Sequence, residues 1–157
     1  MNTRDRLEHI DVAAEATDAI VATLSVRLDA LLATWQRAIQ LEGNAPAKRD
    51  KAKPRPTAEV LSELQGQVNH LDLLIDKLQR EVDSEKTLAN DWEQRAILCL
   101  RDNREDLAKQ ALIEVASHAT TAASQESELM ELHGVREAYR NAVAAVEASL
   151  EGRPDQS

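Results

Sequence analysis

Mostly apolar positions recur in alternating steps of three and four along two long stretches, and this spacing constrains the fold more than any other feature of the sequence. The first stretch consists of Leu61, Leu64, Val68, Leu71, Ile75, Leu78, Val82, Glu85, Ala89, Trp92, Ala96 and Cys99. The second consists of Ala108, Ala111, Val115, His118, Ala122, Gln125, Leu129, Leu132, Arg136, Tyr139, Val143, Val146 and Leu150. A period of 3.5 residues is typical of a coiled-coil seam, whereas a strand has a period of two. The sequence therefore predicts two long helices that pack through these seams.

A short polar segment separates the two seams and predicts a chain reversal. It reads Arg101-Asp102-Asn103-Arg104-Glu105-Asp106. We predict that Asn103 caps the second helix, because Asp106 three residues later completes a pattern similar to a capping box. The two stretches have near-equal lengths, which favours an antiparallel hairpin over residues 57–151 with its tip near 102–104. The alternative is one continuous helix.

The rest of the chain predicts an N-terminal helix, a linker and a tail. Residues 1–42 are predicted to form an amphipathic helix whose apolar stripe is Leu7, Ile10, Ala14, Val21, Leu24, Leu28, Leu31, Trp35 and Ala38. Residues 43–56, GNAPAKRDKAKPRP, form a basic, proline-containing linker. Gly152 and Pro154 end the last helix, so residues 152–157 are predicted to be a disordered tail.

Composition supports an all-α fold and excludes several classes of function. The chain of 157 residues has three aromatic side chains and only four glycines, too few for a typical β-sandwich or doubly wound α/β fold. The net charge is −9, divided as −3 over 1–42, +4 over 43–56 and −10 over 57–157, which argues against binding to nucleic acid. One cysteine, a polar N-terminus and the absence of an apolar run of about 20 residues predict a cytoplasmic protein.

The sequence contains no pattern typical of catalysis. It has no glycine-rich phosphate loop, HExxH or CxxC motif, so we expect no enzymatic activity, catalytic residue, metal site or cofactor. Cys99 lies on a seam and is interpreted as a small core residue. His118 also faces a seam by its register, and it is the only position in the sequence that is a candidate for a pH-sensitive group.

The segment around the predicted turn resembles the phage-shock-protein-A family, the bacterial relatives of ESCRT-III. The residues that carry the resemblance are Asp91-Trp92-Glu93-Gln94-Arg95-Ala96-Ile97-Leu98-Cys99-Leu100, then Arg104-Glu105-Asp106-Leu107-Ala108, then Ala111-Leu112-Ile113-Glu114. The resemblance covers the hairpin portion of the family. It implies a helical hairpin that polymerises on membranes, protects or remodels the inner membrane, and has no catalytic residues.

The resemblance also implies where contacts form. The expected hairpin-tip and assembly residues are Trp92, Ala96, Leu98, Leu100, Arg104, Glu105, Asp106, Leu107 and Leu112. Independently of the resemblance, tryptophan favours membrane interfaces and basic side chains favour anionic lipid. The residues expected to contact lipid or a partner are therefore Trp35, Lys48, Arg49, Lys51, Lys53 and Arg55. We also expect residues 7–39 to pack on the apolar tip of their own hairpin or of a neighbouring one, because both surfaces need a partner.

Three functions remain as alternatives at this point. The first is a homo-oligomer that assembles through its hairpin and acts as a peripheral protein on an anionic inner-membrane surface. The second is a soluble coiled-coil module that regulates a partner such as an AAA+ transcription activator. The third is an accessory subunit of a polymer formed by a full-length relative.

Overall fold

The computed structural model describes residues 3–43 and 56–151, and the side chains of residues 16–40 and 57–151. Three α-helices make up this part of the chain: α1 (Thr3–Gly43), α2 (Pro56–Arg101) and α3 (Glu105–Glu151). Among the described residues, only Asp102, Asn103 and Arg104 lie outside a helix. Helices α2 and α3 pack closely as a hairpin, which confirms the predicted all-α fold and excludes one continuous helix.

The helix ends differ slightly from those predicted for the linker. Gly43 is the last residue of α1, and Pro56 is the first residue of α2. Proline suits the first position of a helix, because its fixed φ matches the helix and no hydrogen-bond donor is lost there. The basic residues Lys48, Arg49, Lys51, Lys53 and Arg55 and the predicted tail lie outside the described residues.

The two seams predicted from the heptad spacing form the interface of the hairpin. Every one of the seam positions in α2 and α3 is buried or half-buried. The largest side chains that are fully buried include Leu64, Leu71 and Val82 of α2 and Tyr139 and Val146 of α3. Burial of a leucine-sized side chain contributes about 1.5–3 kcal/mol, so these positions are the main source of hairpin stability.

The chain divides into two compact units, and the first, here called the turn unit, contains the chain reversal. It comprises Met1–Ala19 and Leu74–Glu131. Within it, the hydroxyl of Thr17 donates a hydrogen bond of 3.1 Å to Glu128, which attaches α1 to α3. Lys86 and Glu126 form an ion pair of 2.6 Å between α2 and α3.

The second unit comprises Ile20–Leu73 and Leu132–Ser157. Here the buried Tyr139 hydroxyl donates a hydrogen bond of 2.7 Å to the backbone carbonyl of Leu24 in α1. Burial raises the pKa of Tyr139, and nearby Arg27 partly opposes this, so the hydroxyl stays protonated and available as a donor. Arg27 also forms an ion pair with Glu63 of α2. Helix α1 is therefore attached to both helices of the hairpin in this unit.

These contacts correct the expected docking of residues 20–39 on the tip of their own hairpin, while the side chains of residues 7–15 lie outside the described part of the chain. The apolar face of residues 20–39 is occupied in the second unit, where Leu24 and Ala38 are buried. Near the tip, Leu98 and Ile113 remain more than half exposed in the turn unit. This expectation was wrong because the spacing of apolar residues identifies the apolar face of a helix without identifying the surface against which that face packs. Docking on a neighbouring hairpin stays a prediction.

Candidate functional site: the surface beside the hairpin turn

Asn103 makes the turn possible through its backbone conformation. Its φ of 58° lies in the left-handed region, and it is the one non-glycine residue with positive φ in the described part of the chain. The Arg104 amide donates to the carbonyl of Cys99 at 2.8 Å, and the Asn103 amide donates to that of Leu100 at 3.1 Å. This pair of bonds is a Schellman motif, which ends a helix with a left-handed residue.

The position of this motif corrects the predicted capping role of Asn103. The Ala108 amide donates to the carbonyl of Arg104 at 3.0 Å, so Arg104 is the residue that precedes the first turn of α3. Asn103 instead terminates α2, because asparagine tolerates the left-handed region better than most residues. Arg101 lies in the last turn of α2, and Glu105 and Asp106 lie in the first turn of α3, which are the charges that the helix dipole favours at these ends.

Small side chains line the seam beside the turn. Ala96 of α2 and Ala108 and Ala111 of α3 are at most 3% exposed. Such residues let helices approach closely, so they leave little room for larger side chains between the helices. Trp92 is half-buried one turn earlier, and the guanidinium of Arg95 lies 4.5 Å from the centre of its ring, which is a cation–π contact.

Outside the seam, the turn unit presents an apolar surface to solvent. We call it the turn surface, and it consists of Ile97, Leu98, Leu100, Leu107, Leu112 and Ile113. Their side chains are between 38% and 56% exposed. A concentration of exposed apolar side chains in one region marks an interaction site more often than isolated exposed residues do. The turn surface is therefore the candidate functional site.

A groove of about 600 Å³ lies on this side of the hairpin and is open to solvent. We call it the turn groove, and its lining residues are Trp92, Arg95, Leu98, Cys99, Leu107, Gln110, Ala111, Ile113 and Glu114. Both helices contribute, α2 through the first four and α3 through the last five. An apolar groove between two helices is a shape that accepts the side chains of another helix.

The structure brings together some of the residues that were predicted to form the hairpin tip. Trp92, Leu98 and Leu107 line the groove, whereas Leu100 and Leu112 belong to the turn surface outside it. The buried side chain of Ala96 belongs to the seam. Arg104, Glu105 and Asp106 are exposed at the turn. Arg95, Gln110 and Glu114 were missed as groove residues. Arg95 lies three residues from Leu98, Gln110 lies three residues from Leu107, and Glu114 lies four residues from Gln110. This spacing places them on the groove faces of their helices and is the signal that could have found them.

Trp35 belongs to the second unit and is not among the residues of the turn surface. Its side chain is half-buried, and its Nε1 is buried with no hydrogen-bond partner among the described residues. A tryptophan that anchors a protein at a membrane usually directs its N–H group toward polar surroundings. The observed position is therefore more typical of packing within the protein, and lipid contact by Trp35 stays a prediction.

A polar layer crosses the seam within the turn unit. The Nδ1 atom of His118 lies 2.5 Å from Glu85 Oε2, and its Nε2 atom lies 3.6 Å from Glu114 Oε2. His118 is buried and the Glu85 side chain is 24% exposed. The two polar seam positions therefore face each other, an arrangement that fixes the register of two helices.

The described residues contain no group of three or more side chains able to hold a metal ion. None of the described helices combines the length and apolar character that crossing a bilayer requires.

The family model for PspA/IM30 matches residues 55–156 of the chain. The matched range contains both seams, the turn and every residue of the turn groove, whereas α1 precedes it. No curated protein matches the chain. No solved structure matches it either.

Proposed function

Because the chain belongs to the PspA/IM30 family, we propose that it is a non-enzymatic protein that self-assembles through its helical hairpin and supports the bacterial inner membrane from the cytoplasmic side. The family is a structural, membrane-associated one without enzymatic activity. The proposal extends this family character to the present chain.

One observation carries the proposal: the turn surface stays exposed although α1 covers part of the hairpin elsewhere. Leu98, Leu100 and Ile113 are 56%, 54% and 55% exposed. Burial of this surface between copies stabilises an assembly by about 25 cal/mol per Å² of apolar area before the entropy of association is subtracted. Each contact is small, and a polymer multiplies it by avidity.

We propose that the basic linker, residues 43–56, is the part of the chain that contacts lipid. Residues 43–56 carry a net charge of +4, whereas the flanking segments are acidic. A basic side chain close to an anionic bilayer contributes about 1 kcal/mol, so several copies of this segment on one polymer give stable peripheral attachment.

Electron microscopy and sedimentation of the full chain, with and without anionic liposomes, test the proposal. We expect rods, rings or lipid-bound arrays, and we expect a Leu98→Ser variant to reduce their size because serine removes exposed apolar area. Leu73→Ser is the matched control, since Leu73 is 70% exposed and lies in the second unit.

Other outcomes identify the alternatives. A small oligomer that ignores liposomes contradicts the proposal and favours a soluble module that regulates an AAA+ activator. Assembly that occurs only after addition of a full-length relative favours an accessory subunit.

A further inference from the structure

We propose that the turn groove is the contact surface of a two-fold dimer, in which the turn groove of one copy packs against that of a second copy. This inference rests on the proposed function, because it specifies the first contact through which the hairpin would self-assemble.

The distribution of exposed apolar residues singles out this surface. Twelve large apolar side chains are exposed among the described residues, and six of them fall between Ile97 and Ile113. The other six are spread over α1, α2 and α3, including Val26, Leu73 and Met130. Scattered apolar side chains are ordinary on a protein surface, whereas three of the six residues near the turn, Leu98, Leu107 and Ile113, line the same groove and indicate an interface.

The charges of the groove favour a second copy over an anionic lipid. Its lining contains one cation, Arg95 on α2, and one anion, Glu114 on α3. An anionic membrane attracts surfaces with an excess of positive charge, and this groove has none. A surface with one charge of each sign on opposite walls can instead complement itself.

A two-fold axis along the hairpin produces this complementarity. Such an axis places α2 of one copy opposite α3 of the other, with both turns at the same end. Arg95 precedes Asn103 by eight residues and Glu114 follows it by eleven. Three residues of helix correspond to roughly 4.5 Å, a difference that two long side chains can span. Arg95 of each copy therefore comes within reach of Glu114 of the second copy.

The present contacts of these two side chains are compatible with such pairing. The guanidinium of Arg95 already lies over Trp92, 4.5 Å from the ring centre, which holds it at the groove. Glu114 approaches His118 at 3.6 Å through Oε2, and a carboxylate can accept hydrogen bonds from several partners at once.

Cys99 provides a direct test, because it lines the groove and is the only cysteine of the chain. We expect a short bis-maleimide to convert the unmodified full-length protein into a covalent dimer at low protein concentration without lipid. A Cys99→Ser/Leu73→Cys variant moves the reactive thiol to the second unit and should give at least about tenfold less dimer. Equal cross-linking at both positions would reflect random collision and overturn the proposal.

Charge exchange tests the two-fold pairing itself. Arg95→Glu and Glu114→Arg each create two like-charge contacts in a homodimer, so each variant alone should dimerise about 10–100-fold more weakly. A one-to-one mixture of these two variants restores both pairs, and cross-linking through Cys99 should then yield the heterodimer. The double variant Arg95→Glu/Glu114→Arg should dimerise like the unmodified chain. Circular dichroism verifies that each variant is helical, and the double variant keeps the test decisive if Glu114→Arg alone does not fold.

The outcomes separate this inference from the proposed function. Failure of the mixture and of the double variant to recover dimers rejects the two-fold arrangement, even if larger assemblies form. Liposome binding that requires Leu98 in a protein that gives no Cys99 cross-link identifies lipid as the occupant of the groove and also rejects it. A cross-linked dimer that never forms larger assemblies supports the groove contact while contradicting the proposed function.

Discussion

Asn103 performs a backbone role that few other residues can fill at the hairpin turn. An alanine at a φ of 58° is strained, because its Cβ approaches the following carbonyl oxygen. We expect Asn103→Ala to lower the free energy of unfolding by about 0.5–1 kcal/mol and Asn103→Gly to retain or increase it. Chemical denaturation followed by circular dichroism measures both. Asp102→Ala is the control and should change stability by less than about 0.5 kcal/mol.

The pair formed by Glu85 and His118 gives a second prediction at the residue scale. Replacing His118 alone with leucine removes the ring 2.5 Å from the Glu85 carboxylate. We expect this variant to lose about 1–3 kcal/mol, since a half-buried carboxylate then lacks this partner. The double variant Glu85→Leu/His118→Leu should be at least as stable as the single variant and close to the unmodified chain, because replacing both polar partners with apolar seam residues leaves neither of them without its partner.

A double-mutant cycle in urea, which also includes Glu85→Leu, measures this coupling. Simple addition of the two single-variant losses in the double variant would show that the pair contributes no interaction of its own.

At the scale of helices, the attachment of α1 in the turn unit is predicted to depend on pH. Burial is the main cause of the raised pKa of Glu128, and carboxylates from all three helices add to it: Glu81, Glu131 and Asp18. The hydrogen bond from Thr17 partly opposes the shift. The pKa of Glu131 is raised as well, by desolvation and by Asp18. Ionisation of these groups therefore weakens the packing of α1 against α3.

The direction of this pH dependence follows from the raised pKa values of Glu128 and Glu131. Protonation of this cluster stabilises the folded chain relative to the fully ionised cluster. This stabilisation is fully present below the ordinary glutamate pKa of 4.5, and it is lost as the pH rises through the raised pKa. Glu128→Gln removes one charge and keeps an oxygen that accepts from Thr17. We expect this variant to be more stable than the unmodified chain at neutral pH, with a weaker pH dependence above 4.5.

Thermal unfolding over this pH range, together with hydrogen exchange of α1, measures the change. Glu137→Gln is the matched control, because Glu137 is an exposed glutamate of α3. An equal effect of both substitutions would show that net charge alone is responsible.

The helices and their seams could be predicted from the sequence, because heptad spacing determines which side chains face a partner helix. The same spacing identified Glu85 and His118 as polar seam positions without showing that they face each other. The capping-box pattern assigned Asn103 to the wrong helix end, and the apolar stripe of α1 did not show which surface it covers. Backbone dihedral angles and the choice among several apolar faces depend on three-dimensional packing. The groove residues Arg95 and Glu114 were missed for this reason, since they lie beside the seam.

At the scale of the whole molecule, the uneven charge predicts which part of the chain meets lipid. Replacing Lys48, Arg49, Lys51, Lys53 and Arg55 with glutamine removes every positive charge of the linker. We expect binding to anionic vesicles to fall by at least about tenfold, because each basic group contributes about 1 kcal/mol near the surface. Vesicle flotation at low salt measures binding.

Self-assembly without lipid serves as the control for this variant and should persist, because the turn groove is unchanged. Undiminished flotation of the variant would assign lipid contact to another part of the chain.

The polar layer across the seam restricts how the lengths of the two helices can change during evolution. Glu85 precedes Asn103 by eighteen residues, and His118 follows it by fifteen. A seven-residue insertion between Glu85 and the turn preserves the heptad but moves this glutamate one repeat away from its histidine. Only a matching insertion in α3 brings them together again. Descendants of this hairpin should therefore gain or lose heptads as pairs, one in each helix.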